Sequence, residues 1–250
     1  MKLTKYLNDE ELIELSYRSI LVEGLQGLIK IERNVILQDS VKIRIGTIIS
    51  GNSVISERSD IGLAGGAIIQ ESNIGQNSAI TNGAKIFHSI CGDNLRNYGS
   101  TIKASQVGDY FVIRNMAEVK NVIAAEKNKF KMFSQAYDCH LGSQNSVGAH
   151  SILKQVSFGD QNKLGDYSKI EYANLGDENQ VGSYVHVMGT QDQQVIIEDN
   201  CTIGNHVIIK SGCRINSYTT IPDHSIVMSR EGKTVMSVID FDTTLNGEPK

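Results

Sequence analysis

The hydrophobic pattern of the chain repeats every six residues over long stretches. An apolar residue opens each hexad near the N-terminus at Ile31, Leu37, Ile43, Ile49, Ile55 and Ile61. The same spacing returns near the C-terminus at Ile197, Ile203, Ile209, Ile215, Ile221 and Val227. In between, the period is six, six and five residues, so equivalent positions lie 17 residues apart. This internal repeat predicts short strands separated by turns and wound into coils with three faces.

Within a hexad, the first and fifth residues are predicted to point inward. The fifth must be small because the chain turns a corner there, and Cys201 and Cys213 fit this role as small buried thiols. On one face the fifth position is asparagine in successive coils, which predicts an internal amide ladder of Asn128, Asn145, Asn162 and Asn179. A single coil cannot bury its own inner face, so the core forms by stacking. Residues 31–227 supply roughly 11 coils at about 4.8 Å each.

The repeat divides the chain into three segments. Residues 1–30 precede it, and Asn8 or Asp9 ahead of an acidic turn predicts a capped helical segment over residues 8–30. The β-helix is assigned to residues 31–227, and residues 228–250 form a C-terminal extension in which 235–241 are predicted to add a strand. The register breaks over Met188–Ile196. This break predicts a loop that reaches a neighbour or ligand, and a plain tolerated insertion is the alternative.

Composition and charge mainly exclude other classes of protein and site. The 250 residues carry a formal net charge of -4, with 23 glycines, two prolines and no tryptophan, which favours strands and turns over a helical bundle. No basic run with interleaved aromatic residues indicates nucleic-acid binding. No stretch is long and apolar enough to span a membrane, and the N-terminus lacks the apolar core of a signal peptide, so a cytoplasmic protein is expected. The four cysteines form no CxxC pair and no histidines converge, so no metal site is expected.

Hexads in which Ile, Leu or Val is followed by glycine resemble those of the hexapeptide-repeat acyltransferase superfamily. The segment Ile221-Pro222-Asp223-His224-Ser225-Ile226-Val227 is similar to the exit from the last coil in that superfamily. The resemblance implies an all-β chain forming a single left-handed parallel β-helix. A short helical cap at the N-terminus and the C-terminal extension would flank it. It also implies a homotrimer, but it does not fix a reaction because one fold hosts many functions.

A closer resemblance covers roughly residues 113–148. Ile113-Arg114-Asn115-Met116-Ala117-Glu118-Val119-Lys120-Asn121 and Tyr137-Asp138-Cys139-His140-Leu141-Gly142 are similar to the acetyltransferase domain of the bifunctional N-acetylglucosamine-1-phosphate uridyltransferase. The resemblance implies that Lys120 contacts a substrate phosphate. The catalytic histidine of that family falls on Met132, its tyrosine on Gln135 and its asparagine on Ser146. Acetylation of glucosamine-1-phosphate is therefore not expected.

A weaker resemblance points to a protein without catalytic activity. Val181-Gly182-Ser183-Tyr184-Val185-His186-Val187 and Ser211-Gly212-Cys213 are similar to segments of the small pointed-end subunits of dynactin. Those subunits are β-helices that bind partners and catalyse nothing. The resemblance keeps a scaffold or binding role open.

Acyl transfer from coenzyme A needs a general base, most often histidine. His150 is the leading candidate because it holds a fourth, outward-facing position, shared at 17-residue spacing with Phe133, Tyr167 and Tyr184. This column predicts a histidine in an aromatic-lined groove between subunits, and an exposed ladder that packs against a neighbouring subunit is the alternative. His140 could reach the same groove, or be a solvated corner residue. His206 and His224 are expected to be ordinary surface residues, and no serine or cysteine nucleophile shows a recognisable base partner.

Two hypotheses follow from the sequence. The leading one is an acyltransferase-like protein that binds a sugar phosphate or nucleotide sugar together with acyl-coenzyme A, which is a co-substrate and not a tightly bound cofactor. His150 would act as the base, and Lys120 and Tyr167 would contact substrate. The competing hypothesis is a catalytically silent β-helix that serves as a scaffold or protein-binding module. Met132 in place of the family's histidine favours the second.

Overall fold

The chain forms a left-handed parallel β-helix of about 12 turns, and its described residues include one short helix. The computed structural model describes residues 6–17, 19–23, 28–230 and 233–238. Each coil has three short strands, and each strand pairs in parallel with its equivalent one coil further along. The predicted all-β, parallel β-helical fold is therefore confirmed.

We name the three faces A, B and C. Face A is a sheet of 12 strands: Leu21–Glu23, Lys42–Arg44, Asp60–Leu63, Ala79–Thr81, Arg96–Tyr98, Val112–Ile113, Lys129–Phe130, Ser146–Val147, Lys163–Leu164, Gln180–Val181, Thr202–Ile203 and Thr220–Ile221. Face B contains Lys30–Ile31, Ile48–Ser50, Ala67–Gln70, Ala84–Phe87, Thr101–Lys103, Glu118–Lys120, Gln135–Tyr137, His186–Met188, Ile208–Lys210 and Ser225–Arg230. Face C contains Ile36–Leu37, Val54–Ile55, Asn73–Ile74, Ile90–Cys91, Gln106–Val107, Ile123–Ala124, His140–Leu141, Val195–Ile197 and Arg214–Ile215. Two longer strands, Ile152–Phe158 and Lys169–Leu175, run round the corner from face B to face C.

The N-terminal helix is shorter than the sequence predicts. It spans Asp9–Ser16, and a capping box begins it, in which Asn8 Oδ1 accepts from the Glu11 N–H and the Glu11 carboxylate accepts from the Asn8 N–H. The prediction that helical structure extends to residue 30 is wrong. Ile20 is fully buried and Leu21–Glu23 already pairs with Lys42–Arg44, so burial and inter-coil hydrogen bonds hold this stretch as a strand.

The C-terminal extension adds a strand, as predicted. Lys233–Val238 runs antiparallel to Ser225–Arg230 at the edge of face B. Residues 239–241, which the prediction also included, lie outside the described residues. The added strand supplies hydrogen-bond partners to an edge that would otherwise be open.

The predicted asparagine ladder runs along the corner between faces C and A, and all four side chains are at most 1% exposed. Each Oδ1 accepts from the backbone N–H of the next asparagine, at 3.0 Å to Asn145, 2.8 Å to Asn162 and 2.9 Å to Asn179. The Nδ2 groups donate to glycine carbonyls of the next coil, for example from Asn145 to Gly159 at 2.9 Å. The ladder thus satisfies buried backbone groups that the corner leaves free.

The ladder ends where the repeat changes. Asn179 Oδ1 accepts from the Cys201 N–H at 2.8 Å, but Asn179 Nδ2 has no hydrogen-bond partner. The coil that follows carries Glu198 in the place of the ladder's glycines. Cys201 and Cys213 are each 1% exposed, which confirms the prediction that they are small core residues.

Corner residues have left-handed backbone conformations, with positive φ at many non-glycine positions. At the corner between faces A and B, His150, Tyr167 and Tyr184 have φ values of 56°, 58° and 59°. A residue in this conformation ends one strand and directs its side chain away from the core. The same conformation in each coil therefore aligns the outward side chains into columns parallel to the axis.

Candidate functional site

Six aromatic rings stack in one line at the corner between faces A and B. This ring column consists of Phe133, His150, Tyr167, Tyr184, His206 and His224. Neighbouring ring centroids lie 4.8 to 5.2 Å apart, and neighbouring planes are inclined by 2° to 14°. The separation matches the distance between strands of adjacent coils, so the repeat itself sets the stack.

The sequence predicts the first four members of the ring column and misses the last two. Residues 189–194 leave the coil, so His206 comes 22 residues after Tyr184 and His224 comes 18 residues after His206. His206 is exposed and His224 is partly exposed, as expected of surface residues, but both also stack in the column, which the sequence analysis does not predict. In the hexads that open at Ile203 and Ile221, His206 and His224 hold the same fourth position as the other members of the column.

The stacking covers the ring faces and leaves ring edges toward solvent. Tyr167 and Tyr184 are 48% and 49% exposed, although each has a ring on both sides. Along the column, imidazole nitrogens and phenol hydroxyls therefore form a line of polar edges. A ligand or partner that meets this line would bind to ring edges, since each ring inside the column is stacked on both faces.

His150 is accompanied by a carboxylate. Asp166 Oδ1 accepts from the Ala149 N–H at 2.8 Å and lies 3.1 Å from Lys131 Nζ. Burial acts to raise the pKa of Asp166, but the Ala149 hydrogen bond, the Lys131 ammonium and the nearby His150 outweigh it and lower the pKa. The Asp166 carboxylate is thus favoured as an anion, with the Lys131 ammonium in contact and His150 nearby.

Lys120 lies apart from His150 and Tyr167. It ends the strand Glu118–Lys120 on face B, next to the corner with face C, and it pairs in register with Tyr137, which pairs with Lys154 in the coil of His150. Lys120 is therefore two coils from His150 and at the opposite end of the face. The structure brings His150 and Tyr167 together and does not bring Lys120 to them.

The neighbourhood of Lys120 contains one strongly perturbed group. The Tyr137 hydroxyl donates to Glu118 Oε2 at 2.7 Å. Burial and this hydrogen bond to a carboxylate raise the pKa of Tyr137 to about 12. Met132 is 46% exposed, and its thioether can neither give nor take a proton in catalysis.

A groove with a volume of about 640 Å³ lies on face C. The exposed side chains of Ile90 and Ile123 line it, and the small residues Gly108, Ala125 and Gly142 form its floor. His140 and Ser157 also line it. The lining is therefore mostly apolar, with Gln106 between the two isoleucines and with His140 and Ser157 at one end.

A second, polar cleft of about 320 Å³ continues from that end at the corner between faces B and C. Asp138, His140 and Ser157 line it, and Gln191 and Gln194 of the loop contribute to its wall. Asn174 Nδ2 donates to Gln194 Oε1 at 2.9 Å, which fastens the loop to face C. The predicted loop thus exists between Met188 and Val195.

The position of His140 corrects one expectation. It lies on face C, across the molecule's corner from face B, and so does not reach the groove of His150 at the far corner. It also pairs in register with Ser157 on the neighbouring strand. The two residues are 17 positions apart in the sequence, and the coil places them on adjacent strands.

No group of three or more His, Cys, Asp or Glu side chains among the described residues is placed to hold a metal ion. The single described helix is too short and too polar to cross a membrane.

No family model matches the chain, and no curated protein matches it. Solved structures similar to it include UDP-N-acetylglucosamine O-acyltransferase from Moraxella catarrhalis RH4, at 13% identity and a TM-score of 0.36 over 85% of this chain and 75% of that one. The Francisella novicida UDP-N-acetylglucosamine acyltransferase is 18% identical, with a TM-score of 0.30 over 89% and 71%. A hexapeptide transferase family protein from Anaplasma phagocytophilum is 12% identical, with a TM-score of 0.19 over 90% and 87%. Similarity at this level leaves open what the present chain binds or catalyses.

Proposed function

We propose that the chain is a hexapeptide-repeat acyltransferase that transfers an acyl group from acyl-coenzyme A to a sugar phosphate or nucleotide sugar. The observation that carries the proposal is the pairing of an exposed imidazole, His150, with the Asp166 anion inside a line of aromatic edges. General-base catalysis of acyl transfer needs a positioned side chain that can take a proton, most often histidine. The hexads and the exit from the last coil, which resemble those of the superfamily, support the same class.

His150 would remove the proton from the acceptor's hydroxyl or amine as that group attacks the thioester carbonyl. The new bond joins the acyl carbon to the acceptor, the carbon–sulfur bond breaks, and His150 returns the proton to the departing thiolate. Asp166 stabilises the imidazolium formed between these steps. The Tyr167 hydroxyl edge, one ring further along, would bind the acceptor beside the base.

The position of Lys120 favours one acceptor class over the other. A phosphate bound at Lys120 would lie two coils from a hydroxyl at His150. A sugar phosphate is short compared with the separation between Lys120 and His150. A nucleotide sugar is longer because it also contains a diphosphate and a nucleoside. A neighbouring copy in a homotrimer would supply the opposite wall of the groove, since the ring column is convex and exposed by itself.

Ligand binding and turnover test the proposal. The protein would be melted with and without millimolar acetyl-coenzyme A and UDP-N-acetylglucosamine, and thiol release would be followed in the presence of both. Ligands that bind the folded state raise the melting temperature by mass action. His150→Ala is expected to lower turnover by about 100-fold or more, as for removal of a general base. His186→Ala, on face B, is the matched control and should not change it.

The stacking itself favours a second candidate, a catalytically silent scaffold. Because the rings stack on one another, they form a rigid, protruding surface. Such a surface is suited to packing against a partner protein. If the protein is a scaffold, neither ligand should raise the melting temperature. Tyr167→Ala should then weaken self-association, which sedimentation measures. Absence of both the ligand shift and thiol release would reject the acyltransferase proposal in favour of the scaffold.

A further inference from the structure

The corner between faces B and C brings together three side chains of a type found in serine hydrolases. His140 and Ser157 are register partners on adjacent parallel strands, and both are exposed. Asp138 precedes His140 by two residues at the corner of the same coil, with φ of 55°. All three line the polar cleft. We propose that this cleft is a second chemical site, independent of His150, in which Ser157 is an acyl-accepting nucleophile, His140 its base and Asp138 the group that orients the base.

The side chains are available for these roles. Asn121 Nδ2 donates to Asp138 Oδ1 at 2.8 Å, which positions the carboxylate beside the corner and leaves Oδ2 for the imidazole. Within the described residues, neither the His140 ring nor the Ser157 hydroxyl has a hydrogen-bond partner that would compete. Register partners on adjacent strands have Cβ atoms about 5 Å apart, so the imidazole reaches the hydroxyl by rotation about its own side-chain bonds.

The loop supplies a donor for the negative charge that develops during acyl transfer. Gln194 Oε1 accepts from Asn174 Nδ2, which directs the Gln194 Nε2 group away from that contact, and Gln191 lies on the same wall. Side-chain amides can serve as oxyanion donors when backbone N–H groups are occupied. Here the backbone N–H groups of the strands are committed to the neighbouring coils, for example Ile123 N–H to the Cys139 carbonyl at 3.0 Å.

The adjoining groove defines the class of substrate. His140 and Ser157 line both the polar cleft and the apolar groove of face C, so they stand at the junction of the two. An ester with an aliphatic acyl chain fits this junction, with the chain along Ile90 and Ile123 and the polar alcohol part against the glutamines. Each further methylene group of the acyl chain would bury more apolar surface against this lining, so affinity should rise with chain length.

The step balances without a further reactant except water. The Ser157 Oγ–acyl bond forms, the ester carbon–oxygen bond breaks, and the serine proton passes through His140 to the departing alcohol. Water then attacks the acyl-serine, His140 takes its proton, and the carboxylic acid leaves with Ser157 restored. Neither coenzyme A nor any residue of the ring column takes part.

A serine-directed fluorophosphonate probe and p-nitrophenyl esters of increasing chain length test the proposal on the full chain. Labelling is expected at Ser157 by peptide mass spectrometry, and hydrolysis should rise with acyl length and fall about 100-fold or more in Ser157→Ala. His140→Ala should abolish labelling, and Asp138→Asn should slow it. Ser146→Ala, an outward serine on face A, is the matched control.

The outcomes separate this site from the proposed acyltransferase. His150→Ala should retain full labelling of Ser157, whatever it does to coenzyme A-dependent turnover. Labelling at another serine, no labelling at all, or equal labelling of wild type and His140→Ala would each overturn the assignment. Melting curves of the variants, which change only exposed side chains, verify that any loss is not a loss of folding.

Discussion

The His150 imidazole lies parallel to the Tyr167 phenol, with ring centroids 4.8 Å apart and planes inclined by 2°. Each of these rings has a second neighbour, Phe133 for His150 and Tyr184 for Tyr167. Orientation of the candidate base is therefore fixed by stacking on both faces, and rotation of His150 out of the line would require its neighbours to open. A base held in this way loses little side-chain entropy when a substrate arrives.

Removal of a central ring should cost stability, whereas removal of its hydroxyl should not. Tyr167→Ala deletes two stacking contacts, and we expect a loss of roughly 1–3 kcal/mol in the free energy of unfolding. Tyr167→Phe keeps both contacts and should stay within about 0.5 kcal/mol of wild type. Urea denaturation measures both. Equal loss in the two variants would show that the hydroxyl, not the stack, stabilises this corner.

The asparagine ladder contains a matched pair for measuring buried hydrogen bonds. Asn145→Ala leaves the Asn162 N–H and the Gly159 carbonyl without partners, and we expect destabilisation by roughly 2–5 kcal/mol. Asn179→Ala removes only the bond to the Cys201 N–H, because Asn179 Nδ2 has none to lose. Its cost should be clearly smaller in the same urea titration. A cost for Asn179→Ala that matches or exceeds that of Asn145→Ala would contradict this account.

Tyr137 should be the last tyrosine to ionise. Its pKa is raised from 10.0 to about 12 by burial and by the hydrogen bond to Glu118. Because the folded-state pKa exceeds the unfolded one, the stabilisation is fully present below pH 10 and is lost as the pH rises through about 12. Ultraviolet titration should show a late step that Tyr137→Phe removes and Tyr167→Phe retains. A late step that persists in Tyr137→Phe would assign it to another residue.

The four cysteines should be unreactive in the folded protein. All are free and buried, and burial raises the pKa of Cys91 to about 12 and that of Cys139 to about 11. Since the thiolate is the reactive form, a disulfide reagent at neutral pH should find almost no thiol before unfolding and all four in denaturant. Rapid reaction of any one under native conditions would show that its coil opens locally.

Most of the fold can be predicted from the repeat in the sequence. Much less of the candidate site can be predicted in this way. Hexads from Ile31 to Val227 predict the coils because the period of buried residues is a local property of the chain. The end of the helix at Ser16 was not predictable in the same way, because Ile20 and Leu21–Glu23 become strand-like only through pairing with a coil 21 residues later.

Site residues depend on register across coils. His150 and Tyr167 were found from their constant spacing, whereas His206 and His224 were hidden by the inserted loop. The pairing of His140 with Ser157 was missed because no local motif joins residues that meet only across two strands. Lys120 was placed by resemblance alone, and resemblance carries no information on its separation from His150 in this chain.

The loop between Met188 and Val195 changes the length of one coil without disturbing its neighbours. The register on either side is intact, with Ile170 opposite Val187 and Leu175 opposite Ile197. Variation in size is thus confined to one corner, while the repeat above and below remains fixed. A scaffold of this kind can be altered in evolution, or by an engineer, by exchanging one short segment. Recognition at this corner can therefore diverge quickly while the rest of the molecule is inherited unchanged.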